Sequence, residues 1–309
     1  MKNAIDILID KIKKMNNPTV LGLDPRYDMV PECIKSKYEK DFNGTMEAIL
    51  EFDKRLIDSI CDIIPAVKIN TAFYEMFGFK GIQVFEEICK YAKEKDMIVI
   101  ADAKRGDIGT TAQAYSNAFL GETPIANNET YIMGNIDFVT VNPYLGIDGV
   151  KPFIEDCKKY NKGIFVLVKT SNPSSGELQD LKLEDGKTIY AKVAELVNFW
   201  GEELIGEYGY SSISSVVGAT YREQLEELRK IMPHSYFLIP GYGAQGGKAE
   251  DIALGFENGI GGIVNSSRGL MCAYKSDRWK EKYSEEQFAE ATRAEAIRMR
   301  EDLNQAIQK

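Results

Sequence analysis

The segment Asp102–Asp107, with the sequence DAKRGD, holds the densest group of side chains in this chain that could perform chemistry. It follows the apolar run Met97–Ala101, which is typical of a buried strand. On a strand, Asp102 and Lys104 are two residues apart and therefore point to the same face. Opposite charges at the end of a buried strand are costly to desolvate, which favours a functional site. An ion pair that merely closes the strand end is the alternative.

Eight short apolar runs, each ending in polar residues or glycine, alternate with segments of helical periodicity. This alternation indicates an α/β protein with a parallel sheet, and eight such units predict a closed (β/α)8 TIM barrel. We expect residues 1–309 to form one domain with a leading N-terminal helix; an open doubly wound sheet is the alternative. The predicted strands are Val20–Asp24, Ala66–Asn70, Met97–Lys104, Phe138–Asn142, Ile164–Thr170, Ser215–Ala219, Tyr236–Pro240 and Gly262–Ser266. The predicted helices include Met46–Cys61, Ile82–Lys95, Thr188–Gly206, Tyr221–Ile231, Ala249–Asn258 and Glu285–Gln308.

The carboxyl ends of the predicted strands are rich in charge, and this is the end of such a barrel where active sites lie. Lys68 stands in an otherwise apolar strand, where a lysine either extends its ammonium group to the rim or serves a site. A polar loop at about residues 172–186 and an insertion at about 121–128 are expected to be binding loops or lids. Taken by position, the strand ends supply Asp24, Lys68, Asp102, Lys104, Asn142, Thr170, Ser171 and Ser266–Arg268.

Two glycine-rich segments follow the last two predicted strands, at Pro240–Gly247 and Asn265–Gly269. Glycine allows backbone N–H groups to approach an anion closely, and TIM barrels often bind phosphate at this place. The guanidinium group of Arg268 could add a bidentate contact. Each segment alone could be an ordinary turn, but together they predict a phosphorylated ligand.

The composition limits the possible partners. The chain has 309 residues, of which 44% are hydrophobic and 28% charged, as expected of an ordinary globular protein. Its formal net charge of -9 and its lack of a basic block argue against binding to nucleic acid or anionic membranes. No apolar run reaches the length of a membrane span, and residues 1–15 are typical of an amphipathic first helix rather than a signal peptide.

The cysteine and histidine content narrows the chemistry further. Five cysteines are widely spaced without a C-x-x-C pair, which predicts reduced thiols and a cytoplasmic protein. His234 is the single histidine, so metal motifs that need two histidines are absent. Proton transfer is therefore expected to fall to lysine, aspartate or glutamate.

The DAKRGD segment and the following Ile108–Thr111 resemble the orotidine 5′-phosphate decarboxylases, in particular a longer subfamily with the A-K-R-G-D-I-G form of the motif. The Asp-x-Lys-x-x-Asp pattern alone also occurs in related sugar-phosphate decarboxylases, but the ordered set of matching segments is more specific. These segments are GLDPR at Gly22–Arg26, VKINTAFYE at Val67–Glu75, VNPYLG at Val141–Gly146, VKTSNPSS at Val168–Ser175, VVGAT at Val216–Thr220 and PGYGAQGG at Pro240–Gly247.

The resemblance implies conversion of orotidine 5′-phosphate to UMP and carbon dioxide, the last step of de novo pyrimidine synthesis, with no cofactor or metal. It also implies a homodimer in which two residues reach the neighbouring subunit's site. By position, the implied roles are Lys104 as proton donor to C6, Asp102 facing the reacting carboxylate, Asp24 and Lys68 on ribose hydroxyls, Ser171 on the pyrimidine, Gln245 and Arg268 on phosphate, and Asp107 and Thr111 in the partner's site. Lys68, Asp102, Lys104 and Asp107 would form the catalytic network.

We further expect the loops after the fifth and seventh predicted strands to close over the base and the phosphate, respectively. Two groups of alternatives remain open at this stage. One is another sugar-phosphate decarboxylase or aldolase of the barrel class, using a divalent cation or a Schiff base. The other is a barrel that binds a phosphorylated ligand without catalysis.

Overall fold

Eight parallel strands close into a barrel in the computed structural model, which describes residues 2–219, 222–243 and 246–308. In chain order, the eight barrel strands and the two strands of a separate ribbon are β1 (Thr19–Leu23), β2 (Ala66–Asn70), β3 (Ile98–Arg105), β4 (Thr123–Pro124), β5 (Thr130–Tyr131), β6 (Phe138–Val141), β7 (Gly163–Lys169), β8 (Ser211–Val217), β9 (Ser235–Pro240) and β10 (Gly262–Ser266). The barrel order is β1-β10-β9-β8-β7-β6-β3-β2, while β4 and β5 pair as a separate antiparallel ribbon. The predicted (β/α)8 barrel is confirmed, and the open doubly wound sheet is wrong.

Helices lie between the barrel strands and pack on their outer surface. They are α1 (Ala4–Met15), α2 (Glu32–Lys35), α3 (Phe42–Ile60), α4 (Ala72–Glu75), α5 (Gly78–Glu94), α6 (Gly109–Phe119), α7 (Ile147–Tyr160), α8 (Ile189–Trp200), α9 (Arg222–Ile231), α10 (Ala249–Ile252), α11 (Arg268–Met271) and α12 (Phe288–Ile307). Within the described ranges, no helix is both long enough and apolar enough to cross a membrane.

The leading helix α1 closes the amino-terminal end of the barrel. Its buried face, with Ile5 and Leu8, belongs to the same apolar cluster as inward-facing strand residues such as Phe138 and Phe165. The Asn3 side chain caps the helix by accepting a hydrogen bond from the Asp6 backbone N–H. A second and larger cluster fills the layer between the strands and the outer helices. The apolar filling therefore leaves the carboxyl end of the barrel for polar residues.

Several predicted boundaries are wrong: α3 begins at Phe42 and α5 at Gly78, each four residues early, and α10 ends at Ile252 rather than Asn258. Two others have a local reason. Strand β8 begins at Ser211 rather than Ser215, because Ser214 and Ser215 are buried and hydrogen-bonded: Ser214 Oγ donates to the Ser211 carbonyl at 2.7 Å, and Ser215 Oγ lies 2.7 Å from Ser235 Oγ. Helix α8 ends at Trp200, well before the predicted end at Gly206, because the chain turns at Gly201 to return to the barrel.

Both predicted polar insertions contain short stretches of regular secondary structure. The insertion at 121–128 includes the start of the β4–β5 ribbon. The loop at 172–186 contains a short 3-10 segment, Pro173–Glu177. The cysteines are all free thiols: Cys33, Cys61, Cys89, Cys157 and Cys272.

Candidate active site

A cavity of about 650 Å³ opens at the carboxyl ends of the barrel strands. Its wall combines charged residues from β2, β3 and the segment directly after β1 with polar and glycine-containing loops after β7, β9 and β10. This is the end of the barrel that α1 leaves open. The predicted site residues that line it are Asp24, Lys68, Asp102, Lys104, Ser171 and Arg268.

A row of alternating charges runs along one side of the cavity. Lys68 Nζ lies 3.7 Å from Asp24 Oδ1 and 2.8 Å from Asp102 Oδ2. The other oxygen of Asp102, Oδ1, lies 2.5 Å from Lys104 Nζ. Each inner group thus contacts an opposite charge on both sides, as the same-face placement of Asp102 and Lys104 predicted.

Burial and charge act in opposite directions on the two inner groups. Burial opposes the ionised form of Lys68, but the carboxylates of Asp102 and Asp24 overcome it and raise the pKa of the lysine above its ordinary value. Burial likewise opposes ionisation of Asp102, yet the neighbouring Lys68 and Lys104 hold the pKa of this carboxyl well below its usual range. At neutral pH the two inner groups of the row are therefore a buried ammonium group, Lys68, and a buried carboxylate, Asp102.

The backbone at Lys104 leaves ordinary strand geometry. Its φ angle is +48°, and the register between β3 and β6 shifts between Ala101 and Arg105. A left-handed conformation at a residue with a side chain is strained and persists only when its surroundings hold it. Here the Lys104 backbone N–H donates to Thr140 Oγ1 at 2.9 Å, and Thr140 Oγ1 donates to Asp102 Oδ1 at 2.9 Å.

Thr140 is a site residue that the sequence reasoning missed. It lies on β6 and is buried, and its hydroxyl joins the turn at Lys104 to the carboxylate of Asp102. Its signal was a polar residue in the apolar strand Phe138–Val141. Asn265, the first residue of the predicted glycine-rich segment Asn265–Gly269, lines the cavity on β10, and its buried Oδ1 has no hydrogen-bond partner in the described part of the chain.

Glycines allow the loops around the cavity to pack closely. A Cβ atom at Gly22 on β1 would collide with the Ser267 and Asn265 side chains. A Cβ atom at Gly218, directly after β8, would press on the backbone of Ser171. Both glycines therefore let the polar segments after β7 and β10 approach the cavity.

Two other predicted site residues, Asp107 and Thr111, do not line this cavity. The Asp107 carboxylate is half-buried on the loop after β3 and accepts a hydrogen bond from the Ile108 N–H at 2.8 Å. Thr111 is exposed on α6. Gln245 lies outside the described residues. Among the residues that are described, no group of three or more histidine, cysteine, aspartate or glutamate side chains is placed to hold a metal ion.

Comparisons with known proteins agree on one family. A family model described as orotidine 5′-phosphate decarboxylase / HUMPS matches residues 21–278. A curated orotidine 5′-phosphate decarboxylase from Caldicellulosiruptor saccharolyticus is 42% identical over 312 residues, covering 99% of this chain and 100% of the relative. A second one, from Rhodopirellula baltica, is 44% identical over 294 residues, covering 94% and 96%. The solved structure of Leishmania donovani OMP decarboxylase superimposes with a TM-score of 0.72 at 29% identity, covering 99% and 100% of the two chains.

Proposed function

The chain belongs to the orotidine 5′-phosphate decarboxylase / HUMPS family and is a carboxy-lyase that converts orotidine 5′-phosphate to UMP and carbon dioxide, and we propose that the row Asp24–Lys68–Asp102–Lys104 carries out this reaction. The observation that supports the assignment is the alternation of charge along this row, which ends in a half-exposed ammonium group, Lys104, within the cavity.

The chemistry suits an ammonium group in this position. Loss of carbon dioxide leaves the electron pair of the broken bond on C6, in the plane of the ring, as a carbanion. Lys104 would stabilise this charge as it develops and then transfer a proton to C6, which gives UMP. Because the ammonium is already held by Asp102 and the strained backbone turn, little reorganisation is needed during the reaction.

The other groups of the cavity would bind the substrate. Asp24 and Lys68 would contact the ribose hydroxyls, which suits the buried Oδ1 of Asp24 that has no hydrogen-bond donor among the described residues. Ser171 would contact the pyrimidine, and Arg268 would bind the phosphate together with Gln245. Asp102 would face the substrate carboxylate, so that departure of carbon dioxide relieves a repulsion between two anions.

We also propose a homodimer with shared sites. Asp107 and Thr111 lie outside the cavity of their own subunit, on a part of the surface that also exposes apolar side chains. Ile108 and Tyr144 are 54% and 78% exposed, an unusual state for large apolar residues near a site and one that a second copy of the chain would relieve. In such a dimer, Asp107 and Thr111 would reach the partner's ribose.

We also propose the subfamily, the cellular location and the domain organisation of the protein. The ordered DAKRGDIG segment supports placement in the longer subfamily. The free state of all the cysteines supports a cytoplasmic location. The single closed barrel supports one domain across residues 1–309, and membership of the family supports a reaction without a cofactor.

One assay tests the reaction directly. Purified protein in excess chelator should deplete the ultraviolet absorbance of orotidine 5′-phosphate and release stoichiometric UMP and carbon dioxide. Activity that requires an added divalent cation would instead indicate the metal-dependent decarboxylase, and trapping of substrate on Lys68 or Lys104 by borohydride would indicate a Schiff-base aldolase. Binding of phosphorylated ligands without turnover would indicate a barrel that binds such ligands without catalysis.

A further inference from the structure

The glycine-rich loop after β9 is tied to the C-terminal helix α12 through one tyrosine. The ring of Tyr242 lines the cavity, and the residue is only 6% exposed. Its hydroxyl donates a hydrogen bond to the carboxylate of Asp302 on α12 and accepts one from Arg298 Nη2 at 3.1 Å. Tyr242 therefore connects the cavity wall to a helix that contributes no residue to that wall within the described ranges.

Glycines on both sides of Tyr242 adopt left-handed backbone angles. Gly241, Gly243 and Gly246 have φ angles of +107°, +68° and +90°, in the region that favours glycine. The Gly243 N–H donates to the Gly247 carbonyl at 3.0 Å, and the Gly247 N–H donates to the Gly241 carbonyl at 3.1 Å. These bonds join Gly241 and Gly243 to Gly247, whereas the Tyr242 hydroxyl joins the same part of the chain to α12.

The anchor on α12 is itself held in place. Arg298 donates to both carboxylate oxygens of Glu295, at 2.9 and 2.7 Å, and Glu295 also accepts from Trp279 Nε1 at 2.8 Å. The apolar face of α12 is buried against the barrel layer. Burial and the neighbouring Asp302 raise the pKa of Tyr242 to about 12, so its hydroxyl remains a donor at neutral pH.

We propose that Tyr242 is a positioning residue for phosphate recognition, which holds the segment Pro240–Gly243 against α12 so that this segment and Arg268 meet the substrate phosphate in one arrangement. This inference rests on the proposed function, which places the phosphate at this end of the cavity. It assigns α12 a part in substrate binding through Arg298 and Asp302, although neither side chain would touch the substrate.

The test compares a substrate that carries the phosphate with one that lacks it. Tyr242→Phe removes only the hydroxyl, and we expect it to lower kcat/KM for orotidine 5′-phosphate roughly tenfold, mainly through KM, because a hydrogen bond to charged partners is lost. For orotidine, which has no phosphate, kcat/KM should change by less than about twofold. Tyr38→Phe is the matched control, because that hydroxyl also donates to a carboxylate, Glu51 at 2.8 Å, but lies outside the cavity wall.

A second pair of variants tests the anchor from the helix. Asp302→Asn keeps an oxygen that can accept from Tyr242 and should retain most of the kcat/KM for orotidine 5′-phosphate. Asp302→Ala removes that acceptor and should resemble Tyr242→Phe. Equal losses in these two variants would contradict a role through the tyrosine hydroxyl.

The outcomes separate this inference from the proposed function. Equal losses for both substrates, or no loss for either, in a folded Tyr242→Phe protein would overturn the positioning role. Calorimetric binding of UMP and of uridine to the same variants measures the phosphate contribution without turnover. A wild-type chain that does not decarboxylate would therefore overturn the proposed function, while the difference between UMP and uridine would still decide the role of Tyr242.

Discussion

Lys104 is held firmly by its neighbours, and its side chain is nevertheless accessible. Its ammonium lies 2.5 Å from Asp102, and its strained backbone is held by Thr140, yet half of its side chain is exposed to the cavity. Asp102 and Lys68, in contrast, are almost fully buried. The row therefore ends in a lysine whose ammonium group is more accessible than that of Lys68.

Lys104→Ala should abolish decarboxylation while leaving the fold intact. We expect kcat to fall by at least about 10⁴-fold, because both the proton donor and the preorganised positive charge are lost. The fold should survive, since Asp102 keeps its contact with Lys68. The measurements are kcat and the thermal melting temperature, with Lys230→Ala as the control for an exposed lysine paired to a carboxylate, Glu226. Retained turnover in a folded Lys104→Ala protein would disprove the proton-donor role.

Asp53 is a buried acid that no sequence pattern marked. It is fully buried on α3, where its Oδ2 accepts a hydrogen bond from the Tyr74 hydroxyl at 2.7 Å, and its Oδ1 has no partner in the described part of the chain. Burial raises its pKa to about 8, which the Tyr74 hydrogen bond only partly offsets. At neutral pH this carboxyl is therefore predominantly protonated.

This shift makes the stability of the fold depend on pH. Between the unfolded pKa of about 3.9 and the folded pKa of about 8, the native state keeps a proton on Asp53 that the unfolded state has lost. The free energy of unfolding should consequently decrease as pH rises through this range. Asp53→Asn removes the titration and keeps an oxygen for Tyr74, so its melting temperature should fall less than that of wild type between about pH 5 and about pH 9.

A matched control for this experiment lies on the same helix. Asp58 also accepts a hydrogen bond from a tyrosine, Tyr91 at 2.8 Å, but it is exposed. Asp58→Asn should therefore leave the pH dependence of the melting temperature as it is in wild type. An unchanged slope in Asp53→Asn would show that another group dominates the dependence.

At the scale of the elements, periodicity located the strands and their charged ends, but not the polar bonds between neighbouring elements. Asp24, Lys68, Asp102 and Lys104 could be found because each follows or interrupts an apolar run. Thr140 could not be assigned, because a single polar residue in a strand does not reveal its cross-strand partner. The early start of β8 was missed for a related reason: buried serines satisfy one another, whereas the sequence alone makes them resemble a turn.

The loop after β7 depends on a buried lysine for its position. Lys169 is fully buried at the end of β7, and its Nζ donates to Ser175 Oγ at 3.1 Å and to Asp180 Oδ1 at 2.7 Å. The Gln179 side chain bonds Thr170 at its backbone N–H and its hydroxyl, directly before Ser171. These contacts hold the predicted base-binding segment against the barrel.

Lys169→Met should loosen this loop, because it removes the charged group that bonds Ser175 and Asp180. We expect KM for orotidine 5′-phosphate to rise and protease cleavage within 172–186 to become roughly tenfold faster. Lys187→Met is the control, since that lysine lies in the same region but forms an exposed ion pair with Glu195. Equal cleavage rates in wild type and Lys169→Met would show that other contacts hold the loop.

At the scale of the whole molecule, the residue pattern was sufficient to predict the barrel, whereas the proposed dimer rests on the family resemblance. Eight units of strand and helix were sufficient to predict closure, and the site followed from the common end of the strands. Asp107 and Thr111 had to be assigned by resemblance, because nothing in their spacing distinguishes a residue of the same cavity from a residue of a partner's cavity. Because both residues lie outside the cavity wall of their own subunit, the proposed dimer needs a direct experiment.

Mixing two inactive variants provides that experiment. If Asp107 completes the partner's site, a heterodimer of Lys104→Ala and Asp107→Ala subunits contains one site with both residues intact and one site that lacks both. Random exchange gives heterodimers as half of all dimers, so activity should recover to about a quarter of the wild-type value per subunit. Mixing Lys104→Ala with Asp102→Ala is the control, because those two residues share a subunit and both sites of their heterodimer remain defective. Differently tagged subunits would show that exchange has occurred. No recovery after demonstrated exchange would place Asp107 outside the partner's site and leave its exposed loop without a catalytic role.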